Sequence, residues 1–129
     1  MDKFKTMIVG ATPNPARYAY MAAHELAHHG IEIVPIGIKK GQLAGVEILN
    51  IREKPLVAGI HTITLYIGPQ NQPEWYDYLL DLHPHRIIFN PGAENDEFKQ
   101  MAESRGIEAI YACTLVMLSI GNYRAALKD

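Results

Sequence analysis

The chain of 129 residues is 48% hydrophobic and 20% charged, and its 12 Lys+Arg against 14 Asp+Glu leave a formal net charge of -2. A chain of this size encloses one core, so a single domain over residues 1–129 is expected, and the near-balance of charge argues against a dedicated binder of nucleic acid or of a membrane surface. The apolar run at residues 115–118, like every other in the sequence, is far too short to span a bilayer, and the start (Met1-Asp2-Lys3-Phe4-Lys5) carries no signal-peptide core; the lone Cys113 excludes an internal disulfide or a cysteine-based zinc site, which together point to the cytoplasm.

Residues 6–9 (Thr-Met-Ile-Val) are β-branched and apolar and end at Gly10, which predicts a buried strand feeding the turn Ala11-Thr12-Pro13-Asn14-Pro15. Residues 16–29 change to helical period, with Ala16, Ala19, Tyr20, Ala23, Leu26 and Ala27 on one face, Pro15 suited to the first turn and Gly30 to the end. A second strand over residues 31–36 completes a strand–helix–strand unit whose crossover should be right-handed and its strands parallel. Residues 37–54 are irregular, with a short strand at 46–49. Strands follow at 62–67, 86–89 and 107–111, and helices at 73–82 (Trp75, Tyr78, Leu79 and Leu82 on one face), 94–105 and 114–119. This alternation predicts an α/β domain, Rossmann-like and three-layered, with an open, mostly parallel sheet of about five strands.

In such a fold a ligand sits outside the carboxyl ends of the strands. The first of the turns there joins Gly10, the Thr12 hydroxyl and the Asn14 amide to a helix N-terminus, a setting for a phosphate. It reads equally as a plain turn in which Thr12 or Asn14 caps the helix. One glycine is too few for the dinucleotide fingerprint, and the second strand ends without the acid that grips a ribose; instead it runs on to Lys39-Lys40, a pair suited to a phosphate-bearing ribose or to a solvated loop. Arg17 is a further cation, at the site or on the surface.

Five segments in order, residues 8–17 (Ile-Val-Gly-Ala-Thr-Pro-Asn-Pro-Ala-Arg), 30–37, 63–69, 87–95 and 106–118, give nearly the whole chain a resemblance to the small stand-alone CoA-binding domain proteins, which are similar to the nucleotide-binding half of the succinyl-CoA synthetase alpha subunit. The resemblance implies a domain holding CoA, or an acyl-CoA, by its 3′-phospho-ADP end. It implies Gly10-Ala11-Thr12 near the phosphates, Pro35 and Lys39 or Lys40 near the adenosine and its 3′-phosphate, and Ile67-Gly68-Pro69 and Asn90-Pro91-Gly92 along the ligand. The synthetase's second domain, with its phosphorylated histidine, has no counterpart in these 129 residues, so binding without catalysis is the expectation.

His24-Glu25-Leu26-Ala27-His28 matches H-E-x-x-H, in which two histidines one turn apart hold zinc and the glutamate activates water. On a helical wheel His24 and His28 lie beside the apolar face with Arg17 and Met21, but a protease needs a third ligand and a cleft, and no metal site is expected. His29, His61, His83 and His85 read as surface-turn residues. Cys113 reads as a small apolar residue or as a partner for a mixed disulfide with a ligand thiol, and Trp75, Tyr76 and Tyr78 as core or partner-facing rings. A nucleotide-dependent oxidoreductase, a zinc hydrolase and an interaction module are the alternatives to CoA binding. A homo-oligomer or a protein partner is compatible with the sequence.

Overall fold

In the computed structural model of the chain, residues 3–124 are described; Met1, Asp2 and residues 125–129 of the expected single domain lie outside them. The elements run β1 (Thr6–Val9), α1 (Tyr18–His28), β2 (Ile33–Gly37), β3 (Gln42–Leu43), β4 (Val46–Glu47), β5 (Leu49–Asn50), a 3-10 turn at Ile51–Glu53, and β6 (Thr62–Leu65). Two further 3-10 turns (Pro69–Asn71 and Pro73–Trp75) lead into α2 (Tyr76–Asp81), followed by β7 (Arg86–Phe89), α3 (Asp96–Ser104), β8 (Glu108–Tyr111) and α4 (Thr114–Ser119).

Strands β1, β2, β6 and β7 are buried along their whole length, because continuous apolar runs on parallel strands need helices on both faces. The main sheet has six strands in the order β5-β2-β1-β6-β7-β8, and every pairing in it is parallel. One face packs Met7, Val9, Ile63 and Phe89 against Leu79 and Leu80 of α2 and Phe98 of α3. The other packs Ile8, Ile33 and Ile88 against Ala19, Ala23 and Leu26 of α1 and Met117 and Leu118 of α4. The Rossmann-like α/β class is therefore as expected.

Several details differ from the sequence reading; the strand expected at 62–67 ends at Leu65, and the helix expected at 73–82 divides into the 3-10 turn Pro73–Trp75 and α2. The sheet has a sixth strand, β5, where about five were expected. The apolar stretch at 46–49 divides: Val46 and Glu47 turn back antiparallel onto β3, while Leu49 and Asn50 pair with Ile36 and Gly37. Such short pairings carry no period, and tertiary hydrogen bonds select them. Helix α1 begins at Tyr18 rather than Ala16, with Pro15 outside it, because Asn14 Oδ1 accepts the Ala16 N–H (3.0 Å) and the Asn14 carbonyl accepts that of Arg17 (3.1 Å). Neither Thr12 nor Asn14 caps the helix; Arg17 stands at the N-cap without a capping side chain, and Ala16 and Ala27 are exposed while Ala22 is buried. Helix α3 likewise starts two residues late, since Asn95 caps it by accepting the Phe98 N–H at 3.1 Å.

At the amino edge of the sheet, Arg86 is fully buried. Its Nε donates to Thr62 Oγ1 (3.1 Å), its Nη1 to the Tyr123 carbonyl (3.0 Å), and its guanidinium lies 4.5 Å from the Tyr123 ring centroid. This clamps the segment after α4 to the edge remote from the strands' carboxyl ends. Among the described residues no helix is long and apolar enough to cross a membrane.

Candidate functional site

The chain leaves β1 for β2 and β5 on one side and then returns to β6 on the other. The loops after β1 and β6 therefore diverge, and the divergence opens a crevice at the carboxyl ends. A cleft of about 870 Å³ lies there, walled by the loop after β1, the start of α1, the end of β2, Ile51 and Arg52 after β5, and the segment from Tyr66 to Trp75.

Close backbone packing shapes its floor. The Gly10 and Ala11 N–H groups both donate to the Ile36 carbonyl, at 3.0 and 3.1 Å, so these two amides are held by β2 rather than left free for an anion. Gly10 has φ +96°, and a Cβ there would lie 3.0 Å from Ile67 Cγ2; a Cβ on Gly37 would lie 2.8 Å from the Ala11 carbonyl oxygen. Gly10→Ala is expected to cost about 1–2 kcal/mol through left-handed backbone strain, read as a lower urea midpoint; an unchanged midpoint would contradict this account of the loop.

The free donors lie one step further on. With no capping side chain at Arg17, the Tyr18 and Ala19 amides of α1 lack an acceptor from the helix or from a cap, while that of Tyr20 donates to the Arg17 carbonyl (3.1 Å), and residues 16–19 line the cleft. The positive end of the helix dipole thus faces the space where an anion would sit. Arg17, Lys39 and Arg52 add three cations to the same lining against one acid, Glu74. The end of β2 offers Gly37, Ile38 and Lys39, and no acid for a ribose.

Of the sequence candidates, Gly10, Ala11, Thr12, Asn14, Arg17, Lys39, Gly68 and Pro91 line this cleft. Pro35 does not: it is buried within β2 opposite Ile8. Lys40, Pro69 and Gly92 are exposed and outside the lining, and Asn90 belongs to a smaller neighbouring pocket. Sequence reasoning missed Arg52 and Trp75. Arg52 lies in the aperiodic stretch and is delivered only by the pairing of β5 with β2. Trp75, read as a core or partner-facing ring, packs on the core with one side and lines the cleft with the other.

The sequence model of the CoA binding domain matches residues 5–119. The chain belongs to the CoA binding domain family. An uncharacterized protein of known crystal structure is 52% identical to it, with a TM-score of 0.90 over 93% of this chain and 98% of that one. A protein from Thermus thermophilus (18% identity, TM-score 0.78, 93% and 90% of the two chains) and a hypothetical protein from Pyrococcus horikoshii OT3 (21%, 0.77, 89% and 81%) share the fold. None of the curated proteins matches the chain.

Two buried amides hold the loops of this CoA binding domain in place. Asn90 Nδ2 donates to Thr64 Oγ1 (2.8 Å) and to the Leu65 carbonyl (3.0 Å), while its Oδ1 accepts the Thr114 N–H at 2.9 Å and so starts α4. Gln72, also buried, donates to the carbonyls of Ile67 (2.9 Å) and Ala93 (2.8 Å) and accepts from Asn95 Nδ2 (2.9 Å), tying the wall after β6 to the loop after β7. The smaller pocket, about 200 Å³, is lined by Tyr18, Tyr66, Asn90, Pro91, Cys113 and Leu115. Burial pushes the Tyr66 phenol up to about 12; its hydroxyl is shut off from solvent beside those of Thr64 and Thr114, without a well-formed hydrogen bond to either.

Of the H-E-x-x-H stretch of the CoA binding domain, His24, Glu25 and His28 are on the exposed face of α1, on turns beyond the start that lines the cleft, while Leu26 is buried against the sheet. The His24 ring packs on Tyr20 (centroids 4.5 Å apart) and His28 meets His29 edge to face. Among the described residues no three His, Cys, Asp or Glu side chains are grouped to hold a metal.

Proposed function

We propose that the domain of residues 1–129 binds CoA and serves as a binding rather than a catalytic domain. Lys39 and Arg52 face the 3′-phosphate and adenosine, on the β2 and β5 side. Arg17 and the open amides at the start of α1 receive the diphosphate, beside the Gly10-Ala11-Thr12 loop that walls the cleft there. The pantetheine arm crosses the switch point between β1 and β6, along Ile67, Gly68 and Pro91. One observation carries this reading: Arg17, Lys39 and Arg52 converge on one cleft at an uncapped helix start, in a chain of the CoA binding domain family.

Titration calorimetry with CoA, dephospho-CoA and NAD tests it. Removing the 3′-phosphate takes away charge-assisted hydrogen bonds worth about 1.5–3 kcal/mol each, so dephospho-CoA is expected to bind at least about tenfold more weakly than CoA, and NAD more weakly than CoA. Equal binding of all three, or none, overturns the assignment.

A further inference from the structure

The smaller pocket adjoins the main cleft: Tyr18, Tyr66 and Pro91 line both, at the ends of β6 and β7. The site as a whole is polarised. The cations stand at its β2 and β5 end and at the start of α1, while the opposite end, between β7 and β8, is closed by Pro91, Leu115, Cys113 and the rings of Tyr18 and Tyr66.

We infer that this end is an acyl pocket, and that the ligand is a CoA thioester with a short apolar acyl group rather than free CoA. The inference rests on the CoA reading above and deepens it. A CoA whose 3′-phospho-ADP end meets Lys39 and Arg52 sends its sulfur towards β7 and β8. There the lining offers an acyl chain carbon surfaces, and the one amide, Asn90, has both ends of its side chain engaged inside the protein. An adenine ring placed there instead would meet a mainly apolar lining whose one amide, Asn90, is already engaged, and would set its phosphate away from the part of the cleft that Lys39 and Arg52 line. An apolar cavity of about 150 Å³ takes a benzene-sized guest, so a pocket of about 200 Å³ accepts an acyl chain of about four to six carbons. Longer chains meet the wall that Leu115 contributes at the start of α4.

The test is a chain-length series by calorimetry, with reductant present so that no disulfide between the CoA thiol and Cys113 enters the comparison. The probes are CoA, acetyl-CoA, butyryl-CoA, hexanoyl-CoA and palmitoyl-CoA. Since even one methylene in an apolar pocket is worth about tenfold or more, butyryl- or hexanoyl-CoA is expected to bind at least about tenfold more tightly than CoA, with palmitoyl-CoA falling back. Leu115→Trp fills the pocket and is expected to collapse the ratio of acyl-CoA to CoA affinity towards one; Leu115→Ala enlarges it and moves the optimum to longer chains. Equal affinity for CoA and every thioester in the unaltered protein overturns the acyl pocket while leaving CoA binding intact. If neither CoA nor any thioester binds, the CoA reading itself has failed and the pocket assignment falls with it.

Discussion

Replacing Lys39 and Arg52 together by glutamate is expected to weaken CoA binding by at least about a hundredfold, whereas Lys40→Glu changes it by no more than about threefold. Each lost charge-assisted contact to a phosphate removes about 1.5–3 kcal/mol, and about 1.4 kcal/mol is tenfold in affinity. The two lost contacts therefore reach about a hundredfold before any repulsion from the new carboxylates is counted. Lys40 differs from its neighbour only in position: Lys39 lines the cleft, and Lys40 is exposed outside the lining. At physiological ionic strength a charge more than about 8 Å from the phosphate is largely screened, so proximity rather than overall charge decides the outcome. Calorimetric titration of the double and single variants reads it. If Lys40→Glu and the double variant lose affinity equally, a diffuse field and not a built phosphate site holds the ligand. All of these positions are exposed, so urea midpoints close to that of the unaltered chain are expected, which separates lost binding from lost folding.

Asn90→Leu is expected to cost about 3 kcal/mol of stability, because it removes three buried hydrogen bonds and leaves the Thr114 N–H without its acceptor. The shape is nearly conserved, so the loss is one of polar pairing rather than of volume. In a thermal melt the change corresponds to a fall of roughly 10 °C in Tm, and in urea to a lower midpoint at unchanged slope. The measurement also decides what Asn90 does. A side chain that touches ligand would lose affinity with little change in stability. One that fastens β7 to β6 and starts α4 would lose stability first, and the geometry favours this second role, since all of its hydrogen-bonding atoms already have protein partners. A stability loss below about 1 kcal/mol, below the usual range for even one unsatisfied buried group, would refute it.

Where a run of residues was long enough to show a period, the sequence was readable almost to the residue. Thr6–Val9, Arg86–Phe89 and Thr114–Ser119 stand where their composition puts them, since a short, mostly apolar run between turn formers has few other places to go. Helix starts were less readable. Asn14 and Asn95 each capture a nearby N–H with a side-chain oxygen, and that competition delays α1 and α3 by two residues each. The site divides in the same way. The loop after β1, with Gly10, Thr12 and Arg17, was visible because a strand, a glycine and a helix start are adjacent in sequence. Asn90 was visible as a residue but not in its role, because its partners Thr64 and Thr114 are 26 and 24 residues away.

The sequence by itself determined the class of the domain: alternating periods of strand and helix allow an open parallel sheet and little else, and a parallel sheet puts its ligand at the carboxyl edge. It also carried the family, in five ordered segments. Only the tertiary structure decided which charges meet. Arg52 reaches the cleft because two residues of β5 pair with the end of β2, and Lys39 is separated from Lys40 by the path of the loop after that strand. Trp75 and Tyr66 come to line the cleft, and Tyr66 and Leu115 the smaller pocket beside it, in the same way, through strand order. Strand order has no local signature: it is set by which strands bury most together, a long-range balance that no window of sequence contains.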